Sequence, residues 1–331
     1  MQTPSPALER DIEAAGQLIR RATDEVHRVV VGQNRMVQNL LIGLFTGGHV
    51  LLEGVPGLAK TLTISSLSRV LKLSFSRIQF TPDLLPADLL GTLIYNPREL
   101  SFEVKKGPIF ANIVLADEIN RSPAKVQSAL LEAMQEKQVT LGDTTYPLDR
   151  PFLVLATQNP LDQEGTYPLP EAQVDRFMMR VFVSYPTRDE ELTIMRRMAH
   201  THAAPELQAL LGADDILRIR GLIEQVRLDE RLERYIVELV LATRDPMAHG
   251  APKLKEYIQF GASPRATIAL NLAARALALF EGRAYVLPED IKAMAPDVLN
   301  HRLILSYEAE ADNVSASQVV SDLLAVVPIA N

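Results

Sequence analysis

Residues 49–63 read HVLLEGVPGLAKTLT. An apolar run, Val50-Leu51-Leu52, ends in a turn carrying Gly54, Pro56 and Gly57, and Lys60, Thr61 and a helix-forming segment follow at once. Strand, Gly-rich turn, Lys-Thr and helix is the order of a phosphate-binding loop. The residue types suit that chemistry. Glycines let backbone N–H groups converge on phosphate oxygens with no side chain in the way. The first turn of the next helix adds further N–H groups and the positive end of its dipole. Lys60 is suited to the β- and γ-phosphates as a point charge, and Thr61 to a bound Mg²⁺ through its hydroxyl. The expected cradle is therefore Gly54, Val55, Pro56, Gly57, Leu58, Ala59, Lys60, Thr61 and Leu62. One position departs from G-x-x-x-x-G-K-[ST]: the second glycine is Ala59. Alanine fits there without strain if φ is negative and is strained if φ is positive. Taken alone, the segment is also compatible with a Gly-rich turn before an ordinary helix.

Outward from the loop, strands and helices alternate. Upstream, an amphipathic helix is expected over about 7–30; Gly32-Gln33-Asn34 breaks it, and Asn34 is expected to cap a second helix. Downstream, a short apolar strand (76–80) precedes TPDLLPADLLGT, a hairpin-type insertion at about 92–106, and the apolar strand ANIVLA. That strand ends in Asp117-Glu118; a helix, a second hairpin at about 137–149, and the strand ending in Thr157-Gln158-Asn159 follow. The alternation predicts an α/β fold with a parallel sheet, its ligands at the carboxyl ends of the strands, where Gly54, Asp117 and Asn159 fall. From Thr187 onward the pattern is helical. The expected organisation is an α/β nucleotide-binding domain over 1–186 and an all-α domain over 187–331.

The chain has 331 residues, enough for two sizeable cores, and 47% hydrophobic content, ordinary for a globular protein. Its net charge of −7 argues against an overall pull toward nucleic acid or anionic membrane. With no cysteine, disulfides, zinc-thiolate sites and cysteine nucleophiles are excluded. The histidines form no i, i+4 pair, so the only metal expected is nucleotide-bound Mg²⁺. No signal pattern opens the chain and no run reaches the roughly 18 apolar residues of a bilayer span. The expected address is the cytoplasm, with membrane contact only through a partner.

A strand with two acids at its tip, IVLADE, complements the loop. In phosphate-loop ATPases the first acid supports Mg²⁺ and the second activates water. Asn159 ends the neighbouring strand, where an amide can bond the γ-phosphate and the attacking water, or simply form a turn before Pro160.

Together with Asp175-Arg176-Phe177 and GASPRA (261–266), these motifs occur in the order of an AAA+ ATPase. The strings VVGQNRMVQNLLIGLFTGGHVLLEGVPGLAKT, FTPDLLPADLLGT, DEINRSPAKVQSALLEAMQEKQVT and ATQNPLDQEGTYPLPEAQVDRF resemble the MoxR family, and the resemblance runs over roughly 27–305. In that family alanine at the Ala59 position is usual. The resemblance implies ATP bound between a sheet domain and a helical lid, usually in a homo-hexamer. It implies Lys60 and Thr61 on phosphate and Mg²⁺, Asp117 supporting Mg²⁺, and Glu118 as catalytic base. Asn159 matches sensor 1 and Arg265 sensor 2. Arg176 matches the arginine finger that completes a neighbour's site, with Arg121 as the fallback. Gln33, with Val30 and Val31, lies where adenine is held. The two insertions resemble pore-facing devices, and either is also compatible with a plain surface hairpin.

The function implied is ATP-driven, chaperone-like remodelling or maturation of client complexes, with a von Willebrand factor A domain protein as partner. Three other readings stand beside it. One is a nucleic-acid motor, disfavoured by the acidic 137–149 hairpin (Asp143, Asp149). The others are a magnesium-chelatase-like motor subunit and a nucleotide-gated module with little turnover.

Overall fold

The computed structural model describes residues 5–55, 57–159, 166–199 and 205–329. Pro56 of the expected cradle therefore lies outside the described residues. The chain divides into two compact units. One comprises Arg21–Pro170 and Val181–Ile216; the other runs up to Arg20, includes Glu171–Arg180 and continues from Leu217 onward.

The sheet comprises strands β1 (Val50–Glu53), β2 (Phe75–Gln79), β5 (Ile113–Asp117), β8 (Leu153–Gln158) and β9 (Met179–Phe182), in the order β2-β5-β8-β1-β9, and all of it but the first two residues of β9 falls in the first unit. The pairs β2–β5, β5–β8 and β8–β1 are parallel. All of β5, and β8 up to its last residue, is buried, which is why both read as near-continuous apolar runs. Register does the positioning. Leu52 pairs with Thr157 and Glu53 with Gln158, while Ala116 pairs with Ala156. The loop after β1, the acids at the tip of β5 and Asn159 after β8 thus emerge side by side at one sheet edge. Two antiparallel hairpins are added: β3 (Gly91–Asn96) with β4 (Ser101–Lys106), and β6 (Gln138–Leu141) with β7 (Thr144–Pro147). The helix before β1 runs Asn34–Thr46, and Asn34 does not cap it. The preceding position is Gln33, in the left-handed region at φ 57°, with no side-chain cap bond; the sharp turn at Gly32-Gln33 sets the helix start instead.

His49, the residue before β1, is buried. Its Nδ1 accepts from Val154 N–H at 2.9 Å and its Nε2 lies 3.2 Å from the Met134 carbonyl. It is a structural polar group joining β8 to the helix Ala124–Glu136. Burial pushes its pKa down to about 4 from the ordinary 6.5. Protonation is penalised in the folded state only, so this stability is present above pH 6.5 and lost as pH falls toward 4. The share carried by His49 is expected to reach about 3 kcal/mol at most. Urea unfolding across pH 4–7 of wild type and His49→Gln checks it. The variant should show the shallower pH dependence, and an unchanged slope would contradict the assignment.

The second unit is helical. Pro264–Phe280 packs on both Glu230–Ala242 and Pro288–Leu299, with Ala316–Val326 against the last. The Ala-rich face of Pro264–Phe280 (Ala266, Ala269, Ala273, Ala274) is buried, and such small residues permit close helix approach. Ser263 caps this helix by accepting from Arg265 N–H, with Pro264 in the first turn. A short antiparallel ladder, Ile258–Phe260 with Ile304–Leu305, is too brief to leave a periodic signal in the sequence. Among the described residues no helix is long and apolar enough to cross a membrane.

Candidate functional site

The loop after β1 has a tightly specified backbone. A Cβ on Gly54 would come within 2.8 Å of the Val183 carbonyl oxygen, so close backbone approach excludes any side chain there. Gly57 has open space around it but sits at φ +87°, so it is required for its dihedral and not for room. Ala59 stands at φ 56°, ψ 19°. The position therefore does demand positive φ, and alanine occupies it at a cost of about 1–2 kcal/mol. Ala59→Gly relieves that strain but loosens the unfolded chain, so a net gain of roughly 0.5–1 kcal/mol is expected in a urea melt. A loss of stability would show that the methyl group packs productively.

The helix Lys60–Val70 begins directly after, and its first N–H groups have no partner within the helix. Lys60 Nζ donates to the Gly54 carbonyl at 2.6 Å. Burial pushes the ammonium pKa down, while Asp117, Glu118 and Glu53 push it back up; the net shift is downward.

One hydroxyl organises the two acids. Thr157 Oγ1 donates to Asp117 Oδ1 at 2.6 Å and accepts from Glu118 N–H at 2.8 Å. Asp117 Oδ2 accepts from Arg77 through Nε at 3.0 Å and Nη2 at 2.6 Å. Glu118 stands in the left-handed region at φ 57°, ψ 51°. Its Oε2 accepts from Gln79 Nε2 at 2.7 Å and lies 3.3 Å from Arg121 Nε. The nearly buried Asn159 completes a cleft of about 370 Å³, shared with the loop from Gly57 to Leu62, Asp117 and Glu118. Thr61 and Asp117 offer hard oxygen donors, and no group of three or more His, Cys, Asp or Glu side chains among the described residues could hold a metal by itself. That donor set fits Mg²⁺, which is commonly held by one or two carboxylates together with substrate phosphates.

Arg77, Gln79 and Thr157 also line this cleft and were not expected from sequence. Arg77 and Gln79 lie two apart on β2, hence on one face, and Gln79 pairs with Asp117. Their polar alternation within FSRIQ was the available signal. Gln33 lies in the same unit but outside the cleft lining, with its Nε2 donating to the Ser184 carbonyl at 3.3 Å.

Arg176 and Arg265 belong to the second unit. Arg176 is exposed on the turn between the short helix Glu171–Val174 and β9, and Phe177 beside it is fully buried. Asp175 of this turn accepts from Ser263 Oγ at 2.9 Å, Arg265 Nη1 at 3.3 Å and Arg302 Nε at 2.8 Å. Arg265, half-exposed, is thus paired with the residue next to Arg176. The hairpin β3–β4 presents Tyr95 against Phe102, with ring centroids 5.3 Å apart. Ile94, Leu100 and Phe102 on it are exposed. Lys106 of β4 lies over the Tyr146 ring of β7.

A family model described as ATPase family associated with various cellular activities (AAA) matches residues 49–179, and an AAA lid domain model matches 252–323. Chaperone MoxR1 of Mycobacterium tuberculosis (strain ATCC 25618 / H37Rv) is 48% identical over 324 residues, covering 98% of this chain and 85% of that protein. Protein MoxR of Methylorubrum extorquens is 31% identical over 98% of this chain and 96% of its own. The chain belongs to the MoxR family of AAA+ ATPases. A crystal structure from Cytophaga hutchinsonii ATCC 33406, 57% identical to this MoxR-family chain, matches its fold with a TM-score of 0.93 over 98% of both chains. Membership brings nucleotide binding with it, and the loop of this MoxR-family chain lies inside the matched AAA region.

Proposed function

We propose that this MoxR-family chain hydrolyses ATP to ADP and phosphate with Mg²⁺, and that the cycle drives chaperone-like remodelling or maturation of client protein complexes. The convergence of loop, Asp117-Glu118 and Asn159 in one cleft supports the hydrolytic part. The loop N–H groups and Lys60 would hold the β- and γ-phosphates. Thr61 and Asp117 would hold Mg²⁺, which when bound supplies neutralising charge for the phosphoryl oxygens. Glu118 takes the proton of the attacking water, and Asn159 orients that water. Arg265 keeps the sensor 2 role that the MoxR resemblance implies. Arg176, exposed, serves the site of a neighbouring copy in a homo-hexamer, adding positive charge where negative charge develops. Arg121 lies beside Glu118 of its own chain, which favours Arg176 for the trans role.

A relative named as a chaperone and the exposed apolar β3–β4 hairpin support a protein client. A von Willebrand factor A domain protein is the expected adaptor. Phosphate release per chain should rise with protein concentration, because each site is completed by a neighbour. Turnover per chain that stays flat across the range over which the protein assembles would remove the trans assignment. Absence of any turnover with Mg²⁺ and ATP would remove the hydrolytic one.

A further inference from the structure

Arg77 stands on the face of β2 that it shares with Gln79, next to Leu115 and Asp117 of β5. Both of its contacts to Asp117 fall on one oxygen, Oδ2, while Thr157 takes Oδ1. An ionised carboxylate offers about four lone-pair sites, so most of this acid's capacity is already filled. The two partners differ in exposure: the Asp117 side chain is 13% exposed and that of Arg77 49%. The acid is the shielded, fixed member and the guanidinium the wet, movable one. Its further bond, Nη2 to Gln79 Oε1 at 3.2 Å, is itself exposed and gives little hold. Both Arg77 and Asp117 line the cleft. A metal ion drawn to Asp117 from the cleft therefore meets a cation already in place.

We propose that Arg77 is an exchangeable counter-cation for Asp117. It neutralises and orients the carboxylate while the metal is away, and it swings toward solvent when Mg²⁺ binds with nucleotide. This rests on the nucleotide reading above. The exchange would be favourable because a divalent ion near Asp117 would supply more neutralising charge to the carboxylate than a half-solvated guanidinium gives up. Its consequence is weakened metal uptake, because each ion that reaches Asp117 must displace a cation.

The test is equilibrium binding of fluorescently labelled ADP to the full chain, with Mg²⁺ and with EDTA. At a fixed Mg²⁺ concentration too low to fill the nucleotide-free site, the ratio of the two affinities reads how strongly metal is taken up with nucleotide, and it needs no turnover. Arg77→Gln should raise that ratio about three- to tenfold, modest because the pair is half-exposed. Arg77→Lys, which keeps the charge but loses the two-donor fork, should fall between. Electron paramagnetic resonance of free Mn²⁺ in the same mixtures should show tighter metal uptake in the same order. Melting curves verify folding, and if Arg77→Gln does not fold, Arg77→Lys decides by the same sign. An unchanged or lowered ratio would make Arg77 a permanent support of the acid and overturn the proposal. Wild type that binds labelled ADP under neither condition would overturn the nucleotide reading and this proposal with it.

Discussion

Arg302→Ala is expected to lower the unfolding free energy by about 3–5 kcal/mol, the range for breaking a buried ion pair from one side. The Arg302 side chain is 2% exposed. Its Nε donates to Asp175 Oδ1 at 2.8 Å, and its Nη2 to the carbonyls of Asp175 at 3.2 Å and Phe177 at 2.8 Å. Its Nη1 donates to the Met178 carbonyl at 3.0 Å. Burial pushes its pKa down to about 10, with Asp175 holding it up, so it stays charged at neutral pH. Truncation would leave Asp175 underpaired and strand several buried carbonyls, each a desolvation cost without return. Arg302→Lys keeps the charge but cannot reproduce the planar fork and should lose part of that stability. Urea unfolding with an unchanged m-value reads the loss; a cost within about 0.5 kcal/mol, the scale of ordinary surface substitutions, would sink the assignment. The same bonds bracket Arg176, since Asp175, Phe177 and Met178 are its chain neighbours. Arg302→Lys, where folded, should therefore also reduce ATP turnover more than nucleotide affinity.

Glu118→Gln is expected to reduce turnover by about 10²–10⁴-fold, the usual contribution of a positioned general base, while nucleotide binding persists. Glutamine is isosteric and still accepts from Gln79 through its amide oxygen, so the local geometry of the cleft should survive. Phosphate release and labelled-nucleotide binding on one preparation separate the two effects. Turnover at the wild-type level would disqualify Glu118 as base. Arg176→Ala adds a sharper comparison. If Arg176 acts on a neighbour, mixing inactive Arg176→Ala with inactive Glu118→Gln should restore part of the activity. In the mixture, some sites combine an intact Glu118 with a neighbour's intact Arg176. Mixtures as inactive as their components would place both groups in one chain's site.

Much of the site was legible because its parts are local in sequence. A buried parallel strand must be apolar throughout, so β5 and β8 announce themselves, and the polar residues just past them mark the ligand edge. The phosphate loop is contiguous and constrained by backbone geometry, so residues 54–62 carry their own signature. The sequence alone could not settle the dihedral at Ala59, since both signs of φ are open to the same letters; the folded loop sets it at 56°.

Alternation of apolar strands, the loop and the acids at a strand tip determined by themselves that this is a phosphate-loop α/β protein with a helical part after it. The partners of those acids were decided only by tertiary structure. Arg77 and Gln79 meet Asp117 and Glu118 because β2 packs beside β5 in a particular register. Thr157 joins the two acids from β8 on the other side of β5. Arg302 reaches Asp175 across 127 positions of chain. Strand order and register arise from the packing of whole faces, which no local period encodes. For that reason the groups that hold the reactive side chains are invisible in the string that names the side chains themselves.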